Sequence, residues 1–164
     1  MSISTGVLGQ FEYEMSVTRK FLACLPEDKL GWKPHVKSAT LGSLATHLMN
    51  LPTWVPGLLT TESLDVSGFT PTPLPETREA LLSVFDQHVA AGRAAIANAS
   101  DEDFMKTWTL LAGGKTIFAM PRIAVMHTMV LSHTIHHRAQ LGVYYRLNDI
   151  PVLQSYGPSA DEPM

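Results

Sequence analysis

Cysteine is almost absent from the sequence. Cys24 is the single cysteine among 164 residues, so no disulfide can form within the chain, and zinc sites that need several thiolates are excluded. This cysteine content is typical of a reducing compartment, and we expect the protein in the cytoplasm.

Charged residues are scarce as well, at 16% of the chain, whereas hydrophobic residues make up 45%. This balance provides enough apolar material for a core and too little charge for a disordered chain. The length matches a single domain, since domains commonly contain roughly 100 to 200 residues. We therefore expect one folded domain over residues 1–164.

The sequence has no long hydrophobic run and no excess of basic residues. No stretch approaches the ~20 apolar residues of a membrane-spanning helix. Glu12, Glu14, Arg19 and Lys20 occupy the region where a signal peptide would be apolar. The 12 Lys and Arg residues are fewer than the 15 Asp and Glu residues, so counterion release cannot drive nucleic-acid binding. We expect a soluble, unexported protein that binds neither membranes nor nucleic acids.

Apolar residues instead recur at spacings of three and four along four long segments, which predicts amphipathic helices. Pro52 should kink the second helix, because a proline inside a helix removes one backbone hydrogen bond and clashes one turn back. Four such segments favour an all-α fold, a four-helix bundle. The predicted helices cover residues 4–25, from 38 or 40 to 58, about 76–98, and 121 to about 147.

The segments between these helices have their own signals. Residues 65–75, rich in Pro, Thr, Ser and Gly, are typical of a crossover loop. Residues 106–120 surround Gly113 and Gly114 and predict a short β-hairpin before the last helix, because two glycines supply the positive φ angles of its turn. Asn148 is expected to end that helix in the left-handed conformation, and an irregular C-terminal tail follows from about residue 149.

The seven histidines differ most in their position on the predicted helices. His133 and His137 lie one turn apart on the apolar stripe of the last helix, in phase with Val130 and Tyr144. His47 lies on the apolar stripe of the second helix. Three imidazoles are therefore expected to face the bundle axis.

Three inward imidazoles need polar partners. A buried polar ring without a hydrogen bond costs ~1 to 3 kcal/mol, and three protonated rings side by side would repel one another. Neutral rings that donate their lone pairs to one divalent cation solve both problems. Two ligands at i and i+4 and a third from a facing helix can converge on one ion. Three ligands also leave a coordination position open, as in catalytic sites.

The histidine pattern is also compatible with a site that binds no metal. With seven histidines in the chain, an i, i+4 pair can arise by chance, and buried histidines are often simply hydrogen-bonded to a neighbour. His136 lies about 100° around the helix from His137; it could replace His137 as a ligand or act nearby, but we predict no metal role for it. The remaining histidines are expected at the surface or at caps, again with no metal role: His35, His88 and His127.

Three polar residues near the proposed ligands are candidates for a second shell or for substrate binding. Asn50 and Gln140 each follow a proposed ligand by three residues; either they orient an exogenous ligand or a water molecule, or they are ordinary polar helix residues. Arg138 either holds a substrate carboxylate or covers exposed helix surface, and we favour the second interpretation. No acid–base pair can be assigned from the sequence, so the catalytic residues stay unknown.

Three segments together resemble the DinB family, also called DinB/YfiT-like metalloenzymes. They are Thr-Leu-Gly-Ser-Leu-Ala-Thr-His-Leu at residues 40–48, His-Thr-Ile-His-His-Arg-Ala-Gln-Leu at 133–141, and Ser-Tyr-Gly-Pro-Ser-Ala-Asp-Glu at 155–162. The resemblance implies a four-helix bundle, usually a homodimer, with zinc or nickel held by His47, His133 and His137. Some relatives are similar to thiol S-transferases or isomerases that use low-molecular-weight bacterial thiols.

These observations lead to three hypotheses. The first is a metal-dependent transferase or hydrolase whose three-histidine site activates water or a small thiol toward a small-molecule substrate. The alternative is a non-enzymatic, metal-binding stress-response protein in which the metal is structural. The third is a metal-free bundle whose histidines are incidental.

Overall fold

The computed structural model describes residues 2–163 and is mostly helical. Its α-helices are α1 (Ile3–Ala23), α2 (Leu41–Asn50), α3 (Trp54–Thr60), α4 (Arg78–Asn98), α5 (Asp101–Met105), α6 (Arg122–Val125) and α7 (His133–Arg146). A π-helical segment, Met126–Ser132, joins α6 to α7. The strands are β1 (Ser63–Asp65), β2 (Thr107–Ala112) and β3 (Lys115–Pro121). None of the helices in the described part of the chain is both long and apolar enough to cross a membrane.

The second predicted helix is interrupted at Pro52, as expected. The Thr40 hydroxyl accepts a hydrogen bond from the Ser43 N–H (3.1 Å) and caps α2. A 3₁₀ turn over Leu51–Thr53 then separates α2 from α3, because Pro52 has no N–H to continue the α-helical ladder. The kink turns the chain just after the helix that carries His47.

The long helices pack on one another around a common core. α1 contacts α4 and α7, and α2 contacts the same two helices. Aromatic and branched side chains fill the space between them. The most deeply buried members include Phe11, Leu22, Leu48, Val55, Phe85, Ile96, Val130 and Leu141. This packing brings α2 and α7, which carry the predicted ligands, into direct contact.

The sheet has three strands, whereas the sequence predicts only a hairpin of two. β2 and β3 are antiparallel and joined by Gly113 and Gly114, both with positive φ. β1 pairs with β2 in parallel. The Asp65 carboxylate at the end of β1 accepts hydrogen bonds from the Gly113 N–H (3.0 Å) and the Gly114 N–H (2.7 Å). The segment predicted as a crossover loop thus begins as part of the sheet.

Two local features near the helix ends also differ from the sequence prediction. Residues Asp101–Met105 form a short helix that the apolar spacing does not predict. A local signal for it exists, since Ser100 and Asp103 form a reciprocal capping box. At the end of α7 the positive φ belongs to Asp149 (59°), not to Asn148. The Asn148 side chain instead donates to the Tyr144 carbonyl (2.9 Å).

The C-terminal tail has no regular structure, but it is attached to the helices. Asp161 forms an ion pair with Arg146 of α7 and accepts a hydrogen bond from the Val152 N–H (2.8 Å). Tyr156 stacks on Tyr13 of α1, with ring centroids 6.0 Å apart. The tail therefore covers one side of the α1 and α7 pair.

Candidate metal centre

The structure brings three predicted histidines together, and we call them the histidine triad: His47, His133 and His137. His47 comes from the middle of α2, whereas His133 begins α7 and His137 follows one turn later. Each offers a ring nitrogen, and these atoms lie within 4.8 Å of one another. Within residues 2–163, no further His, Cys, Asp or Glu side chain joins this group.

The separation of the nitrogens suits a shared metal ion. The Nε2 atoms of His47 and His133 are 3.2 Å apart. Two nitrogens that each lie about 2.05 Å from one ion are about 2.9 Å apart at a right angle and about 3.4 Å apart at a tetrahedral angle. The observed distance falls between these limits, so the His47 and His133 nitrogens are spaced as two imidazole ligands of one divalent ion would be, and the His137 nitrogen lies within 4.8 Å of both.

Gln140 fixes the orientation of His137. The Nδ1 atom of His137 lies 2.7 Å from the Gln140 Oε1 atom, one turn along α7. If Nδ1 carries the proton and donates it to this amide oxygen, Nε2 keeps its lone pair for a metal. Gln140 therefore contacts a triad ring directly rather than an exogenous ligand.

The surroundings of the triad favour neutral imidazoles. Burial, together with the nearby His137 and His133 rings, lowers the pKa of His47 from 6.5 to about 4. Burial is also the main cause that lowers the pKa of His133, and His137 contributes to it. The pKa of His137 is lowered chiefly by burial, against the opposing effect of Gln140. Neutral rings are the form in which histidine binds metals.

These pKa shifts predict how the metal-free protein responds to acid. Because the folded state holds His47 neutral down to about pH 4 while the unfolded chain protonates near 6.5, the unfolded state binds more protons in this window. The free energy of unfolding should therefore fall as the pH drops from about 6.5 to about 4. Urea unfolding of the apo protein at several pH values measures this slope, and His47→Gln should reduce it. An unchanged slope in that variant would contradict the proposed environment of His47.

A cavity opens beside the triad. Its volume is about 460 Å³, and His47 forms part of its wall together with the polar residues Ser43, Thr46 and Asn50. The rest of the wall is apolar, made by Leu51, Trp54, Phe69 and Pro71. We call it the apolar cavity. A small molecule held there would lie next to the His47 ring.

Asn50 lines this cavity, but its amide is occupied by the protein. It donates to the carbonyl oxygens of Thr46 and Thr72, both at 2.8 Å, and accepts from the Thr72 N–H at 2.9 Å. These bonds fasten the 65–75 segment to α2. These contacts favour a structural role for Asn50 over the orientation of an exogenous ligand.

The position of Arg138 contradicts the sequence interpretation. Arg138 does not cover exposed helix surface, since its side chain is only 2% exposed and forms an ion pair with Glu14 of α1 at 2.7 Å. The Tyr156 hydroxyl donates to the other Glu14 oxygen (2.7 Å) and accepts from Arg138 (3.0 Å). The sequence interpretation misses Glu14, although it lies three residues after Phe11 and four before Thr18, on the buried face of α1.

The remaining histidines lie outside the triad. The His136 ring is 4.9 Å from that of His137, but it is exposed and contributes no atom to the group. The Nδ1 atom of His35 accepts from the Lys37 N–H, and His127 is exposed. His88 is half-buried rather than at the surface, with Nδ1 2.9 Å from the Met49 carbonyl oxygen.

Comparison with known families agrees with the resemblance seen in the three segments. Residues 10–141, most of the chain, match the DinB superfamily. The chain belongs to the DinB superfamily. No curated protein matches it significantly.

Two solved DinB-like proteins share the fold of this DinB superfamily chain. One, from Bacillus cereus, has a TM-score of 0.71 at 22% identity, with 94% of this chain and 98% of that chain covered. The other, from Bacillus subtilis, has a TM-score of 0.69 at 16% identity and covers 92% of this chain and 99% of that chain.

A third structural neighbour is a mycothiol-dependent maleylpyruvate isomerase. Its TM-score is 0.52 at 15% identity, with 98% of this chain and 64% of that chain covered. At these identities the three likenesses show the fold alone.

Proposed function

We propose that this DinB superfamily chain is a metal-dependent enzyme, built on a four-helix bundle, in which the histidine triad holds a divalent ion, zinc or nickel. The observation that carries the proposal is the convergence of three imidazoles beside the apolar cavity. Three protein ligands leave room for a further donor. The cavity beside His47 gives a small molecule access to that position.

The proposed reaction is the activation of a small thiol, or of water, toward a small-molecule substrate. A bound divalent ion would lower the pKa of the thiol or water and so supply a nucleophile at neutral pH. The thiol is favoured because thiolates are good ligands of zinc. A structural neighbour is a mycothiol-dependent isomerase, which supports the same substrate class.

The chain's own residues position the reacting groups. His47 from α2 and His133 and His137 from α7 would hold the ion between the two helices. Gln140 orients the His137 ring. Asn50 fastens the segment that forms the far wall of the cavity. No described residue is assigned as a general acid or base.

A thiol titration of the cobalt-substituted protein tests this proposal. Cobalt(II) replaces zinc in such sites and gives visible and near-ultraviolet absorption bands that report its ligands. Adding 2-mercaptoethanol should produce a sulfur-to-cobalt charge-transfer band that saturates at about one thiol per metal. A spectrum that stays constant while cobalt remains bound would overturn the activation of a thiol and leave only that of water.

The competing hypothesis of a structural metal rests on the same geometry, because the triad joins α2 to α7. If the metal chiefly holds the helices together, a chelator should unfold the protein. If the enzyme proposal holds, the apo protein should stay folded, because the long helices share a core of buried apolar side chains that stabilises them without the ion. Dimerisation, which only the family resemblance implies, and a cytoplasmic location stay predictions.

Gln140 gives a prediction about metal affinity. Gln140→Leu removes the oxygen that accepts from His137 Nδ1, so the affinity for zinc should fall by about 10- to 100-fold. Competition with a chromophoric chelator measures this change. Gln140→Glu is the matched control, because it keeps an acceptor at the same position, and it should retain most of the affinity. Equal affinities for the leucine variant and the parent protein would contradict the role assigned to Gln140.

A further inference from the structure

The apolar cavity has no Asp, Glu, Lys or Arg side chain in its wall. The volume of about 460 Å³ lies within the roughly 300 to 1,000 Å³ of typical small-molecule sites. The cavity therefore has the size of a substrate site, and its wall has no acidic or basic side chain apart from the His47 ring of the triad.

The wall is also held in place without a ligand. The paired hydrogen bonds between Asn50 and Thr72 hold the segment that carries Phe69 and Pro71. The Trp54 ring lies against Phe69, with centroids 6.3 Å apart, and against Trp108 at 6.4 Å. Trp108 is itself fully buried. A preformed wall binds a ligand without first having to be ordered.

The polar groups in the wall offer little to a charged ligand. The Thr46 hydroxyl donates to the Gly42 carbonyl (2.8 Å), and the Ser43 hydroxyl lies 2.9 Å from that of Thr40. Both Asn50 N–H bonds are used within the protein. A carboxylate or phosphate held against the apolar part of this wall, away from the triad, would lose water without gaining a cationic side chain as a partner. An aromatic group would instead gain contacts with Trp54 and Phe69.

We infer that the substrate places an uncharged aryl or alkyl group in the apolar cavity, next to its reacting atom, while its charged parts stay outside. The inference rests on the proposed function, because it takes the reacting atom to lie at the histidine triad. It names the substrate class as one with an apolar, uncharged group close to the reacting centre. Phe69 and Trp54 are then the residues that determine this preference.

Three thiols tested on the cobalt-substituted protein measure the preference directly. They are 2-mercaptoethanol, 2-phenylethanethiol and 4-(2-mercaptoethyl)benzoate, which share a primary thiol and differ in the attached group. The phenyl thiol should bind about tenfold or more tightly than 2-mercaptoethanol, given the apolar area that the cavity can bury. The carboxylate of the third thiol should remove most of this gain.

Variants at Phe69 test whether the apolar cavity causes the preference for the phenyl thiol. Phe69 is 38% exposed, so its replacement should leave the fold intact. Phe69→Ala should lower the affinity ratio of the phenyl thiol to 2-mercaptoethanol, and Phe69→Arg should improve binding of the benzoate. Ile117→Ala, which removes an exposed apolar side chain from β3, is the control and should keep the parent ratio.

Failure of the substrate inference can be told apart from failure of the proposed function. If all three thiols bind cobalt with the same affinity, or if Phe69→Ala keeps the parent ratio, the inference about the substrate is wrong and the proposed function still stands. If no thiol changes the cobalt spectrum, the proposed activation of a thiol at the triad fails and the inference fails with it.

Discussion

Replacing His133 with alanine is expected to reduce the zinc content of the purified protein from about one ion per chain to background. His133 contributes the Nε2 atom that lies 3.2 Å from that of His47, and two imidazoles alone hold a divalent ion far more weakly than three. Helical content by circular dichroism should stay close to that of the parent protein. Elemental analysis after dialysis against metal-free buffer provides the measurement.

The control for this variant is a neighbouring histidine that the structure leaves outside the triad. His136→Ala removes an exposed ring only 4.9 Å from that of His137, and it should keep the full metal content. His127→Ala should do the same. Metal loss in the His136 variant together with metal retention in the His133 variant would show that the triad is not the set of rings that holds the metal.

The second large effect is expected at Glu14. Glu14→Ala leaves Arg138 as a buried cation without its carboxylate, since the two side chains are only 4% and 2% exposed. Removing one partner of a buried ion pair costs about 3 to 5 kcal/mol, so the free energy of unfolding should fall by that amount. Denaturant unfolding of the apo protein measures the loss without a contribution from bound metal.

Glu12 on the same helix is the matched control. Its ion pair with Arg93 is exposed, with side chains 44% and 59% accessible, and such pairs contribute at most about 1 kcal/mol. Glu12→Ala should therefore change stability by less than about 1 kcal/mol. Similar losses for the two variants would contradict the special role of the buried Glu14 and Arg138 pair.

The sequence predicts the histidine triad because helical phase is a local property. His133 and His137 share one face of α7 by their spacing alone, and His47 is in phase with buried residues of α2. That the two faces meet follows from packing apolar stripes together. In the structure, the ring nitrogens of these three histidines lie within 4.8 Å of one another.

The burial of Arg138 cannot be predicted from helical phase alone. Arg138 follows His137 directly, so helical phase places it about 100° around the helix, on a side expected to be exposed. That side faces α1. The carboxylate that neutralises the buried Arg138 side chain belongs to Glu14, 124 residues earlier in the chain. Only the tertiary fold brings these two charges together.

The third strand and the contacts of Asn50 escape sequence reasoning for a related reason. β1 contains three residues, too few for a recognisable alternation, and its partner β2 lies more than forty residues later. The Asn50 amide bonds Thr72, twenty-two residues away. Gln140 differs, since its contact with His137 spans three residues of one helix, and that spacing is visible in the sequence.

X-ray absorption at the zinc edge of the reconstituted protein tests the central claim most directly. We predict three imidazole nitrogens at about 2.0 to 2.1 Å and a solvent oxygen in the remaining position. Adding 2-mercaptoethanol should replace that oxygen with one sulfur at about 2.3 Å. A shell with fewer than three imidazoles, or a fourth protein ligand that thiol does not displace, would contradict the account.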